Sequence, residues 1–400
     1  MEVIMKVFVL NSGSSSIKFQ IIETNTQKTL MKGLCERIGH ENSIYTVTNV
    51  EKDLKDKNVP VYFHDHEEAI KKVLSLITDE RIGVLKDYSE IDAIGHRVVH
   101  GGEYFKDSAV ITDEVLKDIE SVSHLAPLHN PANIKGINVC KRLMPDKANV
   151  AVFDTSFHQT LEEEKYIYAL KYEDYEKYQI RKYGFHGTSV RYIVKKLDKI
   201  DSSLKNIIVC HLGNGASITA VKDGKSFDTT MGFTPLAGLP MGTRSGDIDP
   251  SILEYLSNVK GFNEKEMLNY LNKECGMKGL CGSSDNRDIL SLIDKGNKNA
   301  KLALNVFCNK IASYIGSYYV ELGGLDAIIF TGGIGENSPE TREYVCDRLK
   351  AIGVKLDKGH NFMRTNDDVL LTDRDSKVKV YRIRTNEELM IALDVERLVL

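Results

Sequence analysis

Residues 7–22 read VFVLNSGSSSIKFQII. An apolar strand breaks off into an Asn, a Gly and a run of serines, then resumes as an apolar strand behind a lysine. A serine-rich linker does not interrupt an apolar run for a few residues and let it continue. Residues 5–10 and 17–22 therefore read as two strands of a hairpin, and the turn between them as a place where something polar binds. A P-loop fails on spacing and context. GxxxxGK[ST] needs a second glycine before the lysine and a helix after it, whereas Gly13 and Lys18 enclose Ser-Ser-Ser-Ile and the chain continues as strand. What remains is a tight turn that offers backbone N–H groups and hydroxyls to a phosphate, with Gly13 supplying a positive φ. Ser14, Ser16 and Lys18, spaced by two, share one face of an extended chain. Two hydroxyls and an ammonium suit the β- and γ-phosphates of a nucleotide. A plain polar hairpin tip is the competing reading.

The same device recurs. HLGNGASITAVKDG at 211–224 is again an apolar strand, a turn of Gly, Asn and Ser, and an apolar strand. A second echo pairs DAIGH (92–96) with DAIIFTGG (326–333). Two echoes suggest two similar domains facing each other across a cleft lined by both turns. Between them strands alternate with helices, which favours α/β layers. IDAIGHRVV (91–99), NVAVFD (149–154) and LDAIIF (325–330) read as buried strands. Residues 129–143 read as a helix capped by Asn130 with Pro131 at its first position, and 188–197 as a helix with Val190, Ile193, Val194 and Leu197 on one stripe. Helices start at Pro250, at Ser338-Pro339 and, capped by Asn386, at the closing stretch 386–400.

Composition removes other classes. A formal net charge of -4 gives no electrostatic reason to expect nucleic acid or an acidic membrane. No apolar stretch approaches the ~20 residues of a membrane span. The start is too short in apolar residues for a signal peptide, and Met5 reads as the original start with the first four residues an extension. The seven cysteines form no CxxC pair; reduced, mostly buried thiols in a cytoplasmic protein are expected. HDH at 64–66 reads as a solvated helix start rather than a metal site.

Three Gly-containing turns, each with a strand before it, point to a nucleotide: the serine turn, HLGNGAS (211–217), and TGGIGENSPE (331–340), which leads into a helix N-terminus that favours anions. SSDNRD (283–288) suits a base or ribose, or is a surface loop. A second set points to an anionic co-substrate. Arg97 ends a strand beside Gly-Gly, Arg244 sits in the Gly-rich loop MGTRSGDIDP, and His186 and His129 stand at helix entries. Arginine forks match phosphates and carboxylates, although each residue also has a structural reading. Asp154 at a strand end and Glu387 at a helix start are placed as water-mediated Mg²⁺ ligands would be, or as a turn cap and a helix-dipole partner.

As an ordered set, VFVLNSGSSSIKFQ, GHRVVHGG, APLHNP, FDTSFH, YGFHGTS, HLGNGAS, MGTRSGDIDP, TGGIGENS and RTNEELMIA resemble the acetokinase family, within the superfamily of acetate and sugar kinases, heat-shock chaperones and actin. The likeness covers nearly the full chain, without departure at a motif position. It implies an α/β protein of two duplicated ribonuclease-H-like (actin-like ATPase) domains around a nucleotide cleft. Residues 1–154 plus the closing helix 387–400 would form the first domain, and 155–386 the second, nucleotide-binding one. It implies a cytoplasmic homodimer using ATP/ADP with Mg²⁺ (or Mn²⁺) and transferring a phosphoryl group reversibly to acetate, with domain closure excluding water. Carried over by motif, Asn11, Ser14, Ser16 and Lys18 would handle phosphates. Arg97 and Arg244 would hold acetate and the moving group, His186 would stabilise the transition state, and His129 would assist. Asn11, Asp154 and Glu387 would serve the metal. His211, Leu212, Gly213, Asn214, Gly215, Asp285, Asn286, Arg287, Gly333, Ile334, Gly335, Glu336 and Asn337 would hold the nucleotide. Val99, Leu128, Phe185 and Pro235 would meet the acetate methyl. A propionate or butyrate kinase differs only in acid length; an ATP-driven switch of the actin type would need no second anion site.

Overall fold

The computed structural model describes residues 4–400; residues 1–3, most of the expected extension, lie outside them. The chain divides into two compact units. One runs up to Gln159 and includes Asn386–Leu400; the other is Thr160–Thr385.

The first unit is built on an eight-stranded sheet of β1 Lys6–Ser12, β2 Ser16–Glu23, β3 Lys28–Glu36, β4 Ile44–Asn49, β5 Leu54–Pro60, β6 Ala93–Val98, β7 Ala109–Val110 and β8 Ala148–Phe153, ordered β5-β4-β3-β2-β1-β6-β8-β7. The serine turn is a hairpin as its pattern requires. β1 and β2 are antiparallel with Asn11 opposite Lys18, and β6 lies parallel to β1. Fully buried Phe8, Leu10, Ile17, Phe19 and Ile21 from the hairpin pack with Ile70, Val73 and Ile77 of the helix His66–Ile77. The closing helix Glu387–Val399 lies against β1, β6 and β8. Gly95 permits that seating: a Cβ there would come within 2.5 Å of Ile391 and 2.9 Å of Val395.

The second unit repeats the plan with six strands: β9 Asn206–Leu212, β10 Ala216–Lys222, β11 Lys225–Thr229, β12 Ala327–Thr331, β13 Val369–Leu370 and β14 Lys379–Arg382, ordered β11-β10-β9-β12-β14-β13. β9 and β10 form the antiparallel hairpin, and β12 lies parallel to β9. The series β3-β2-β1-β6-β8 and β11-β10-β9-β12-β14 thus match strand for strand. This is the duplicated ribonuclease-H-like arrangement, and both sequence echoes fall on equivalent strands. β12 is buried along its whole length, as a parallel central strand is.

Four local readings change. Gly13 does not have a positive φ. Its place is fixed by crowding instead: its N–H donates to Ser16 O at 2.8 Å, and a Cβ would meet Ser16 Oγ at 2.9 Å. Asn130 is the first helical residue, not the cap; His129 holds that position. The Asn130 side chain reaches across to His100, accepting from its N–H at 3.1 Å and donating to its carbonyl at 2.9 Å. His66 does open a helix, but it is buried rather than solvated, with Nε2 2.6 Å from the carbonyl of Gly13. The helix expected to start at Pro250 begins one residue later, at Ser251.

Candidate active site

In the first unit, the ends of β6 and β8 bring Arg97 and Asp154 together. β6 pairs with β8 in register up to Val98–Phe153, and the Asp154 N–H donates to Val98 O at 3.0 Å. The carboxylate then meets the guanidinium edge-on. Nε donates to both oxygens at 3.1 Å and Nη2 to Oδ2 at 2.5 Å. The Asp154 side chain is 3% exposed and that of Arg97 25%. Burial works against the Arg97 charge, but Asp154 and Glu387 more than offset it and hold the guanidinium firmly protonated.

The closing helix brings two more carboxylates to this place. Asn386 caps it, accepting from Leu389 N at 3.0 Å, so Glu387 and Glu388 fall in its first turn. Glu388 pairs with Lys18 of the serine hairpin. Burial pushes the Glu387 carboxyl up to about 7; Arg97 pulls it down, while Asp154 and Glu388 push it further up. Crowded carboxylates of this kind gain from a hard cation. Two carboxylates with the amide oxygen of Asn11 are the oxygen donors that Mg²⁺ takes alongside water and phosphate. Among the described residues, no group of three or more His, Cys, Asp and Glu is placed to hold a metal ion.

Ser14 is exposed and Ser16 partly so. Asn133, one turn into the helix Asn130–Leu143, locks the neighbouring backbone: it accepts from Val99 N at 3.1 Å and donates to Ser12 O at 2.7 Å. Sequence reasoning passed over Asn133, and read His66 only as a solvated helix start, because their partners are far away along the chain. Val99 is 7% exposed and Leu128 75%; His129 is exposed.

In the second unit, His186, Arg244 and the turn after β9 converge. His186 is the cap of the helix Gly187–Ile200, with φ 59°. That left-handed conformation is uncommon outside glycine and aims its ring out of the helix start. Its Nδ1 lies 2.9 Å from Ser217 Oγ, and its ring stacks on His211 with centroids 4.1 Å apart. His211 Nδ1 is in turn 2.8 Å from Ser189 Oγ. A Cβ on Gly215 would sit 3.6 Å from both His186 Nε2 and Arg244 Nη1. Glycine there leaves imidazole and guanidinium facing one open spot.

The hydrogen-bond partners of the Arg244 guanidinium are neutral: Nη1 donates to Pro235 O at 3.2 Å and approaches Met241 Sδ at 3.7 Å. Burial lowers its pKa, yet an arginine stays charged. Its positive charge thus has no carboxylate among those partners, in contrast to Arg97. Phe185 is 3% exposed.

Beside this lies a cavity of about 500 Å³ lined by Gly213 and Asn214, by Asp285, Asn286 and Arg287, and by Gly333, Ile334 and Asn337. Residues from three separate turns, the first and last more than 100 positions apart in sequence, thus meet at one hollow. Asp285 caps the helix Asn286–Asp294, and Arg287 folds back on it at 2.6 Å. Asn337 Nδ2 donates to Gly333 O at 2.9 Å. Glu336 turns away: its Oε1 accepts from the N–H groups of Gly332 and Thr385 at 3.0 and 3.1 Å. Leu212 and Gly335 are buried under the turns that carry them.

The model of the acetokinase family matches residues 6–393. The chain belongs to the acetokinase family. It is 53% identical to the acetate kinase of Thermoanaerobacterium thermosaccharolyticum and 53% identical to that of Thermotoga maritima, in each case over 99% of both chains. Among solved structures, acetate kinase from Porphyromonas gingivalis superposes with a TM-score of 0.95 at 41% identity, covering 99% of this chain and 100% of that one. A propionate kinase from Francisella tularensis gives 0.92 at 42% identity over 98% and 100%. Membership of the acetokinase family makes the chain a kinase, with ATP as its phosphoryl donor. Among the described residues no helix is long and apolar enough to cross a membrane.

Proposed function

We propose that the chain is an acetate kinase, converting ATP and acetate reversibly to ADP and acetyl phosphate by direct in-line transfer. The observation that carries this reading is the convergence of His186 and a carboxylate-free Arg244 on the open spot at Gly215, beside the three-turn cavity. A nucleotide switch needs phosphate contacts alone; a half-buried guanidinium whose hydrogen-bond partners are neutral calls for a further anion.

The chemistry fits these groups. An acetate oxygen attacks the γ-phosphorus, the bond to the bridging oxygen breaks, and its electron pair leaves with ADP. Acetate carries no proton at neutral pH, so no general base is required. Alignment and charge neutralisation suffice. In this reading Gly213–Gly215, Asp285–Arg287 and Gly333–Asn337 hold the nucleotide, while Ser14, Ser16 and Lys18 bind phosphate oxygens. Arg244 and Arg97 take the carboxylate and the moving phosphoryl group, with His129 assisting. His186, held by Ser217, donates to a transition-state oxygen. Val99, Leu128, Phe185 and Pro235 bound the methyl. Asn11, Asp154 and Glu387 would hold Mg²⁺, in part through water; when bound it supplies charge neutralisation at the β- and γ-phosphates. Residues 1–154 with 387–400, and 155–386, serve as the two functional domains.

The working compartment we assign is the cytoplasm, where the seven free thiols stay reduced. The active species we assign is a homodimer. The helix Ser251–Lys260 has no buried residue and exposes Ile252, Leu253, Tyr255 and Val259, an apolar surface that a second copy would cover.

A hydroxylamine trap tests the reaction. The protein is incubated with Mg-ATP and acetate, propionate or butyrate, and acyl hydroxamate is read. Strong signal with acetate, fading with chain length, is expected, since one methylene is worth ~1–3 kcal/mol of discrimination. A stronger signal with propionate would favour the propionate kinase reading, which the Francisella structure also accommodates. No signal with any acid, with ATP still bound, would favour the switch.

A further inference from the structure

A second cavity in the Thr160–Thr385 unit, of about 700 Å³, is lined by five arginines: Arg287, Arg342, Arg364, Arg382 and Arg384. Two of these are deeply buried, Arg342 at 1% exposure and Arg382 at 4%. Their hydrogen bonds all go to neutral oxygens. Arg342 donates to the side chain and carbonyl of Asn361 at 2.8 and 2.7 Å, and to the carbonyls of Gly335 and Glu336 at 2.8 and 3.0 Å. Arg382 donates to the carbonyls of Met363, Thr365 and Asp367 at 3.1, 3.1 and 2.8 Å. The Nε atoms of Arg382 and Arg384 are buried and have no hydrogen-bond partner.

Three carboxylates also line this cavity, Asp294, Glu336 and Glu340. Glu336 is committed to backbone N–H groups, and Glu340 accepts from the Ser338 hydroxyl at 3.3 Å. Arg287 is balanced by Asp285. Asp368 and Asp367 also act favourably on Arg382, but Asp368 is paired with Lys196, and burial with Arg384 still outweighs them; positive charge at Arg342, Arg382 and Arg384 therefore exceeds what surrounds it. Arginine does not shed its proton to escape burial, and a buried charge without a counter-charge is costly.

We propose that this cavity binds a multivalent oxyanion, of the phosphate or polycarboxylate class, at a site separate from the phosphoryl-transfer groups. The anion would meet the guanidinium of the cavity-lining Arg384 and the exposed Arg364, and would offset the buried charge of Arg342 and Arg382. The guanidinium groups of Arg342, Arg382 and the half-buried Arg384 act on one another. Burial, then Arg384, lowers the pKa of Arg382; burial, then Arg382, lowers that of Arg342 to about 10. An anion relieves both influences. The cavity shares Arg287, Leu290 and Asn337 with the 500 Å³ hollow beside it, so its occupancy should change nucleotide affinity, and the nucleotide should change anion affinity by the same factor. That gives the kinase a means of sensing a metabolite that is neither donor nor acceptor.

The test is titration calorimetry on the full chain in metal-free buffer at fixed ionic strength. Inorganic phosphate and tricarballylate are the separate probes, each with and without saturating ADP. Expected is saturable binding of one of them, one per chain, that persists in ADP with a changed affinity. It should weaken about tenfold or more in Arg384→Gln, recover partly in Arg384→Lys, and weaken further when Arg364→Gln is added. The stronger probe identifies the class. The proposal is overturned by absence of saturable binding, by complete displacement with ADP, or by unchanged affinity in folded Arg384→Gln. The last result would mean that the arginines only brace the 361–367 segment. None of these outcomes bears on the hydroxamate assay, so this site and the kinase reading fail separately.

Discussion

Gly276 is the residue through which the position of Arg244 is most sharply tested. It has φ +62°, and a Cβ there would meet Met241 O at 2.1 Å, Arg244 O at 2.6 Å and Arg244 N at 3.0 Å. Around it, three successive carbonyls of the arginine loop are held by one strip of backbone. Met277 N donates to Met241 O at 2.9 Å, Lys278 N to Gly242 O at 2.9 Å, and Cys275 N to Thr243 O at 3.1 Å. Real Cβ contacts essentially never fall under 3.0 Å. In Gly276→Ala the loop must therefore retreat by about 1 Å, a displacement on the scale that costs an aligned transfer ~100-fold. The left-handed backbone adds ~1–2 kcal/mol of instability. Gly282 is the control. It lies at the other end of the same short helix with φ +85° and has nothing within 4 Å of its Cβ position. Gly282→Ala should lose similar stability and keep its kcat. The assay is hydroxamate formation from acetate and Mg-ATP, with folding checked by circular dichroism. In the double variant with Arg244→Ala, the Gly276→Ala loss should vanish, because both act through one guanidinium. Near-wild-type kcat in Gly276→Ala, or losses that multiply in the double variant, would refute the reasoning.

Arg244→Ala alone should lower kcat by more than ~100-fold, the range for loss of a transition-state donor; near-normal single-turnover rates would remove Arg244 from the mechanism. Gly95→Ala should overpack the seat of the closing helix against Ile391 and Val395 and cost ~1–3 kcal/mol, visible as a lower urea midpoint; an unchanged midpoint would mean that the helix seats elsewhere. His96 is 2% exposed, with Nε2 2.7 Å from Asn149 Oδ1, and burial holds its pKa down at about 4. The unfolded chain takes up this proton near pH 6.5 and the folded chain only near 4. The contribution is therefore complete above the unfolded value and lost as pH falls through the folded one, amounting to ~2 kcal/mol by pH 5. Urea unfolding at pH 7.5 and pH 5 should show His96→Gln losing less stability on acidification than the wild type; equal losses would contradict a neutral buried His96.

What the sequence made legible was whatever repeats at short range. The apolar run VFVL and the resumed alternation of IKFQII around a polar turn identify a hairpin, and the structure has it at Lys6–Ser12 and Ser16–Glu23. The echo HLGNGASITAV identifies its counterpart, and Ser338-Pro339 and Asn386 mark helix starts by the side chains that cap them. Glycine in a turn was legible as a need but not as a reason: Gly13 serves close approach, not handedness. Asn130 before a proline carries the signature of a cap, yet its amide is committed to His100, thirty residues earlier. Local pattern cannot separate those uses, because the deciding partner comes from another strand end.

The arginines show the same limit from the other side. Arg97 and Arg244 stood out because glycines surround them. Arg342 sits on a helix where an exposed arginine would be ordinary, and nothing nearby in sequence shows that it is 1% exposed and bound to Asn361. Its burial depends on the segment 361–367 folding back over it, and that segment is in turn tied down by Arg382. A charge whose cost is set by such a long-range closure is invisible to spacing and composition. Pattern therefore exposes the arginines that glycine turns present, and passes over the ones that the fold encloses.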